Sequence, residues 1–136
     1  MEKGPSHRFR VDAIKACGNL IHGTPLYADV HVPGPVILQL RLRGVDITAA
    51  TEEGHERKTD EELLIISTSL GRVMVTQGIR FRVLAEDWQR KGRLFTGLIF
   101  AHQRRVSFGE MVGDLELIAR ATDPAFWQNR IEQLPL

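Results

Sequence analysis

The rhythm of apolar and polar positions changes at Leu26. Before it, "RFRVDAIKACGNLI" carries Phe9, Ala13, Ala16 and Leu20 at helical spacing, behind a polar start with Gly4, Pro5 and Ser6. Gly23-Thr24-Pro25 breaks that pattern. Residues 1–24 therefore read as an N-terminal extension with a short helix, and 25–136 as the domain proper. From Leu26 on, short apolar runs alternate with longer amphipathic segments. "LYADVHV" predicts a first strand. "PGPVILQLRLRG" is ambiguous: Leu38, Leu40 and Leu42 alternate with Gln39, Arg41 and Arg43, the period of a strand. Yet Pro33 and Pro35 suit a helix start and Gly44 its C-cap. A crossover is also needed before the next apolar run, "VDITA", so a helix is expected.

Thr59 to Leu70 is the clearest helix. Thr59 and Glu62 make a capping box, and Leu63, Ile66 and Leu70 form a stripe closed by Gly71. "RVMVT" predicts a strand and "RFRVLAEDWQRKG" a helix with Phe81, Leu84 and Trp88 inward. "FTGLIFA" predicts another strand, and "SFGEMVGDLELIARAT" a helix opened by a second capping box, Ser107 with Glu110. Asp123-Pro124 starts a last helical turn, and "RIEQLPL" suits an edge strand because Pro135 tolerates only an edge or a strand end. Strands alternating with helices predict an α/β protein, a three-layer α/β/α sandwich on a mainly parallel sheet of four to five strands.

Bulk properties narrow this little. At 136 residues there is room for one domain and not two. A net charge of +1 points to no partner, so a nucleic-acid site must come from local clustering. Cys17 is the single cysteine, which excludes an internal disulfide and suits a reducing compartment. No signal-like or membrane-length apolar run is present. The expectation is a cytoplasmic protein without a membrane partner.

In a parallel sheet, ligands gather beyond the carboxyl ends of the strands. That edge collects Asp29 and His31 from the first strand, Gln77 and Gly78 from the third, and His102, Arg104 and Arg105 from the fourth. The helix after the second strand opens with Asp60, Glu61 and Glu62, and the loop before it, "ATEEGHERK", adds Glu52, Glu53 and His55. Each has a plain structural role open to it. Asp29 suits a cap for the helix starting near Pro33, the acids at 60–62 suit any helix N-terminus, and His31 and His102 suit hydrogen-bonded structural roles. Jointly, an Asp facing acids on a helix start suits a hard divalent cation. Mg²⁺ takes one or two carboxylates plus waters and phosphate oxygens, and such an ion can activate water for phosphodiester cleavage.

From about Leu26 to Leu136 the chain resembles the small bacterial PIN-like proteins of the toxin type, relatives of the VapC ribonucleases. The resemblance lies in ordered landmarks: "YADVHVPGPVILQLRLRGVDI", "KTDEELLIISTSLGRVMVT", "FTGLIFAHQ" and "DLELIARATDP". It implies a nuclease dependent on Mg²⁺ or Mn²⁺, a single-stranded RNA substrate and a small antitoxin-like protein partner. It assigns catalysis to Asp29, Asp60 and Glu61, with the metal on Asp29 and Asp60. The family's third acidic position falls in "TQGIRF", where this chain has Gly78, Ile79 and Arg80. A guanidinium fixed about 6 Å from a divalent ion would repel it by roughly 5 kcal/mol at an effective dielectric near 20. The expectation is an impaired or inactive nuclease. The alternative is a non-catalytic binding module for RNA or an antitoxin-like protein, with Arg80, Arg104 and Arg105 on phosphates and an oligomer as a further expectation. A third reading places a transition metal on His31, His102 and His55. Glu52, Glu53 and Asp87 stand as candidate replacement ligands.

Overall fold

A computed structural model describes residues 23–136. The helix expected around Phe9 to Leu20 lies outside them. The elements follow in the order β1 (Leu26–Ala28), α1 (Gly34–Leu42), β2 (Ile47–Ala49), a 3₁₀ turn (Ala50–Glu53), α2 (Asp60–Ser69), β3 (Val73–Thr76), α3 (Ile79–Arg90), β4 (Leu98–Ala101), α4 (Phe108–Ala121), α5 (Pro124–Trp127) and β5 (Ile131–Leu134). The five strands form one sheet in the order β2-β1-β3-β4-β5, and every pairing is parallel. The chain runs from β1 outward to β2 and then returns to the other side of β1 for β3. The strand order therefore reverses between β1 and β3, the topological switch point where such sheets bind ligands.

The strands read as continuous apolar runs because both sheet faces are covered. Alternate side chains go to opposite layers. Leu26, Ala28, Val73, Val75 and Ile99 pack with Val36, Leu40, Met111, Val112 and Leu115 of α1 and α4. Tyr27, Met74, Leu98 and Phe100 pack with Leu63, Leu64, Phe81 and Trp88 of α2 and α3. Each fully buried Leu or Phe here contributes about 1.5–3 kcal/mol relative to exposure.

The strand-like alternation in α1 is incidental. Val36, Ile37 and Leu40 are its buried stripe, while Leu38 and Leu42 face outward. Both predicted capping boxes are present, Thr59 with Glu62 and Ser107 with Glu110. Arg41 reaches from α1 to donate through Nε and Nη2 to the Ile47 carbonyl at 3.2 and 2.9 Å, and pairs with Glu52 at 2.5 Å. Glu52 in turn accepts from the Ala49 N–H at 3.3 Å.

Two glycines are forced. Gly23 sits at φ +87°, and a Cβ there would lie 2.0 Å from the Ala119 carbonyl oxygen. The next residue, Thr24, donates its N–H to that same oxygen at 2.9 Å. Gly23 and Thr24, counted with the extension in the sequence, are thus fastened to α4. Gly97, at φ +108°, leaves room for Trp127, whose carbonyl oxygen would lie 2.8 Å from a Cβ. Among the described residues no helix is long and apolar enough to cross a membrane.

Candidate functional site

The first strand is shorter than its sequence pattern. It ends at Ala28, and the chain turns at Val30 and His31. Asp29 and His31, expected together at the end of the first strand, therefore part. Asp29 turns inward and is 3% exposed, while His31 is exposed. The predicted cap is also absent: α1 has no side-chain cap at Pro33. Instead Asp29 Oδ1 accepts from the His31 N–H at 2.9 Å, and Oδ2 accepts from the Thr76 hydroxyl at 2.5 Å. Thr76 Oγ1 accepts in turn from the Gly78 N–H at 2.9 Å. One hydroxyl thus joins the ends of β1 and β3 to the first turn of α3, at the switch point.

Burial raises the pKa of Asp29; the Thr76 hydroxyl, the His31 N–H and the His31 ring oppose this, and the Asp60 carboxylate adds to it. Asp60, half-buried at the start of α2, therefore acts on Asp29 electrostatically. Glu61 does not join them. It lies on the helix side that carries Ile65, and its carboxylate pairs with Arg93 at 3.0 Å. Arg93 itself stacks 3.8 Å from the Trp88 ring centroid. The three acids of the sequence reading reduce to two.

The replacement ligands are otherwise engaged. Glu52 is held by Arg41, which lowers its pKa to about 2. Asp87 is paired with Lys91 and Arg90. Glu53 stands 3.7 Å from His55 Nδ1, the nitrogen that also lies 2.9 Å from the hydroxyl of the buried Tyr27. His102 Nδ1 accepts from the Arg104 N–H at 3.1 Å, and its ring meets Phe100 edge to face. The three-histidine site is not formed: His31, His55 and His102 have separate surroundings. Among the described residues no three His, Cys, Asp or Glu side chains come together as a metal-binding group.

The third wall is Gln77, Gly78, Ile79 and Arg80. Gly78 is the N-cap of α3 at φ −91°, with no side-chain cap. A Cβ there would meet only Thr76 Oγ1, at 3.4 Å. Glycine is not required by the backbone. Arg80 is exposed, so water screens its charge, and its repulsion of an ion falls to about 1 kcal/mol. The missing carboxylates outweigh it.

The arginines divide by place. Arg41, Arg43, Arg72, Arg82, Arg90, Arg93, Arg120 and Arg130 each pair with an acid. Arg57, Arg80, Arg104 and Arg105 form no ion pair among the described residues, and all four follow the carboxyl end of a strand. Arg57 and the adjacent Lys58 were missed in the sequence, though "HERK" precedes the same helix start as Asp60. Thr76 was missed as well; its signal was a polar residue ending an otherwise apolar, fully buried strand.

A divalent ion at this edge would be held by Asp29 and Asp60, with Gln77 as a neutral neighbour, and most of its shell would stay water, as Mg²⁺ tolerates. Comparisons with protein-family models, curated proteins and solved structures find no significant match. The PIN-like resemblance therefore rests on the order of sequence landmarks.

Proposed function

We propose that this chain is a PIN-like protein related to metal-dependent ribonucleases, with impaired nuclease chemistry. The observation that carries it is Asp29. It is a buried carboxylate at the switch point, held by Thr76 and sensing Asp60, with no acid on the third wall. Burial disfavours the charge of a carboxylate, so one kept at a ligand-binding edge marks a candidate functional group. When bound, Mg²⁺ or Mn²⁺ would supply an activated water for phosphodiester cleavage. Asp29 and Asp60 would position it, and Thr76 fixes the Asp29 rotamer.

A second reading is a non-catalytic module that holds single-stranded RNA. Arg57, Arg80, Arg104 and Arg105, which form no ion pair among the described residues, favour it, since phosphate contacts position a strand without reading its sequence. The antitoxin-like partner follows from the resemblance alone.

The test is Mn²⁺ titration by calorimetry, with RNA cleavage followed on a gel. The natural chain is expected to bind weakly and cleave poorly. Gly78→Asp with Arg80→Asp is expected to tighten binding by about tenfold or more, because it adds oxygen ligands. Vigorous metal-dependent cleavage by the natural chain, abolished by Asp29→Asn, would overturn the impaired-nuclease reading.

A further inference from the structure

A groove of about 200 Å³ lies between α1 and α4. Pro35, Val36 and Gln39 form one wall, and Phe108, Gly109 and Val112 the other. Both helices begin at the carboxyl edge of the sheet, because α1 follows β1 and α4 follows β4. Three of the lining residues are not accounted for by packing. Phe108, the first residue of α4, is 56% exposed, and among the described residues its ring meets no other aromatic ring. Gly109 is helical, and a Cβ there would meet nothing within 4 Å. Glycine is less favourable than alanine inside a helix, yet its bare backbone lets a ligand approach closely. Gln39 is exposed, and its amide makes no hydrogen bond among the described residues.

Charge gives the groove a direction. Arg43, at the far end of α1, is already paired with Glu116 at 2.9 Å. Arg104 and Arg105 stand three and four residues before Phe108, within about 14 Å along the chain, and form no ion pair among the described residues. The uncommitted cations therefore lie on the Phe108 side. We propose that this groove receives one unpaired base of a single-stranded RNA, stacked on Phe108, while Arg104 and Arg105 hold the adjoining phosphates. Apolar walls alone would suit a protein segment equally. A ring, an uncommitted amide and two cations within a short span match a nucleotide, which carries a π face, a hydrogen-bonding edge and a negative charge. The Gln39 amide offers both a donor and an acceptor to that edge. This inference rests on the RNA-holding reading and adds to it a base site outside the Asp29 centre.

The test is fluorescence anisotropy at low salt on the full chain, with two labelled probes of equal length: an oligouridine and a base-free ribose-phosphate chain. Phe108→Ala is expected to weaken oligouridine binding about tenfold, the size of one lost base stack, and to leave the base-free probe within about twofold. Phe108→Tyr is expected to keep the oligouridine affinity. Gly109→Leu, which fills the groove, is expected to act like Phe108→Ala. Arg104→Ala with Arg105→Ala is expected to weaken both probes. If the natural chain binds neither probe, the RNA-holding reading falls and this inference with it. If it binds both and Phe108→Ala changes neither, or weakens both equally, the base site alone is overturned. A dimer of the RNA-free chain that Phe108→Ala dissociates, seen by analytical ultracentrifugation, would make the groove a protein face and overturn the base site as well.

Discussion

The two ends of the sheet are built differently. At the amino end, backbone and charge are committed: Gly23 and Gly97 are fixed by close contacts, and Arg72 donates to the Leu26 carbonyl and pairs with Asp46 at 2.9 Å. At the carboxyl end, Gly78 has ordinary dihedrals, four arginines form no ion pair among the described residues, and Asp29 is buried. One end spends its polar groups on the fold. The other leaves exposed arginines without acid partners among the described residues, as the proposed binding edge requires.

The sharpest way to break this contrast is a pair of glycine substitutions. Gly97→Ala should cost about 3–5 kcal/mol, from strain at positive φ and a clash with Trp127 backbone. Gly78→Ala should stay within about 0.5 kcal/mol. Urea denaturation of both decides it; similar losses would erase the distinction between the ends.

Next in size is RNA affinity. Removing Arg80, Arg104 and Arg105 together should weaken binding of a fluorescent single-stranded oligonucleotide about tenfold to a hundredfold at low salt and flatten the log–log salt slope by about 2. Removing Arg43, Arg90 and Arg120 changes net charge equally, yet should cost about threefold or less because those side chains are paired elsewhere. Fluorescence anisotropy at several salt concentrations separates the two, and equal losses would reduce the edge to bulk charge.

Asp29→Asn sharpens the comparison through pH. Burial raises the folded pKa of Asp29 above its unfolded value, so the folded state binds the proton more tightly. The destabilisation is absent below the ordinary carboxylate value of about 3.9 and grows as pH rises through the folded pKa. Asp29→Asn should therefore raise Tm at neutral pH, and the gain should vanish towards pH 3. A loss of Tm at neutral pH would make Asp29 a structural residue. The smallest effect separates the neighbouring acids: Asp60→Asn should lower Mn²⁺ affinity about threefold to tenfold, and Glu61→Gln should leave it within about twofold.

The order of elements was legible because its signals are local. Capping boxes at Thr59 and Ser107 and apolar runs such as "VMVT" and "LIFA" need only near neighbours. The helix over Gly34–Leu42 was legible from Pro and Gly positions despite a strand-like alternation. The site was legible only as to its edge. Glu61 turns to Arg93, and Asp29 finds Thr76, across long stretches of chain; no local pattern encodes such partners. His31 was misplaced because Val30 and Val32 in the turn continue the apolar run of Leu26–Ala28, so the end of β1 carries no local mark. Which arginines are paired is likewise a tertiary property, so Arg57 looked like ordinary loop charge.

The Arg41–Glu52 pair has a consequence for assembly. β2 lies at the rim of the sheet, and its outward groups would template a strand from another chain. Arg41 occupies the Ile47 carbonyl and Glu52 the Ala49 N–H, and the two side chains lock each other in place. With the Glu52 pKa lowered to about 2 by Arg41, the clamp stays charged at neutral and mildly acid pH. Two of the outward backbone groups of β2 are thus taken, which hinders edge-to-edge aggregation at a three-residue strand.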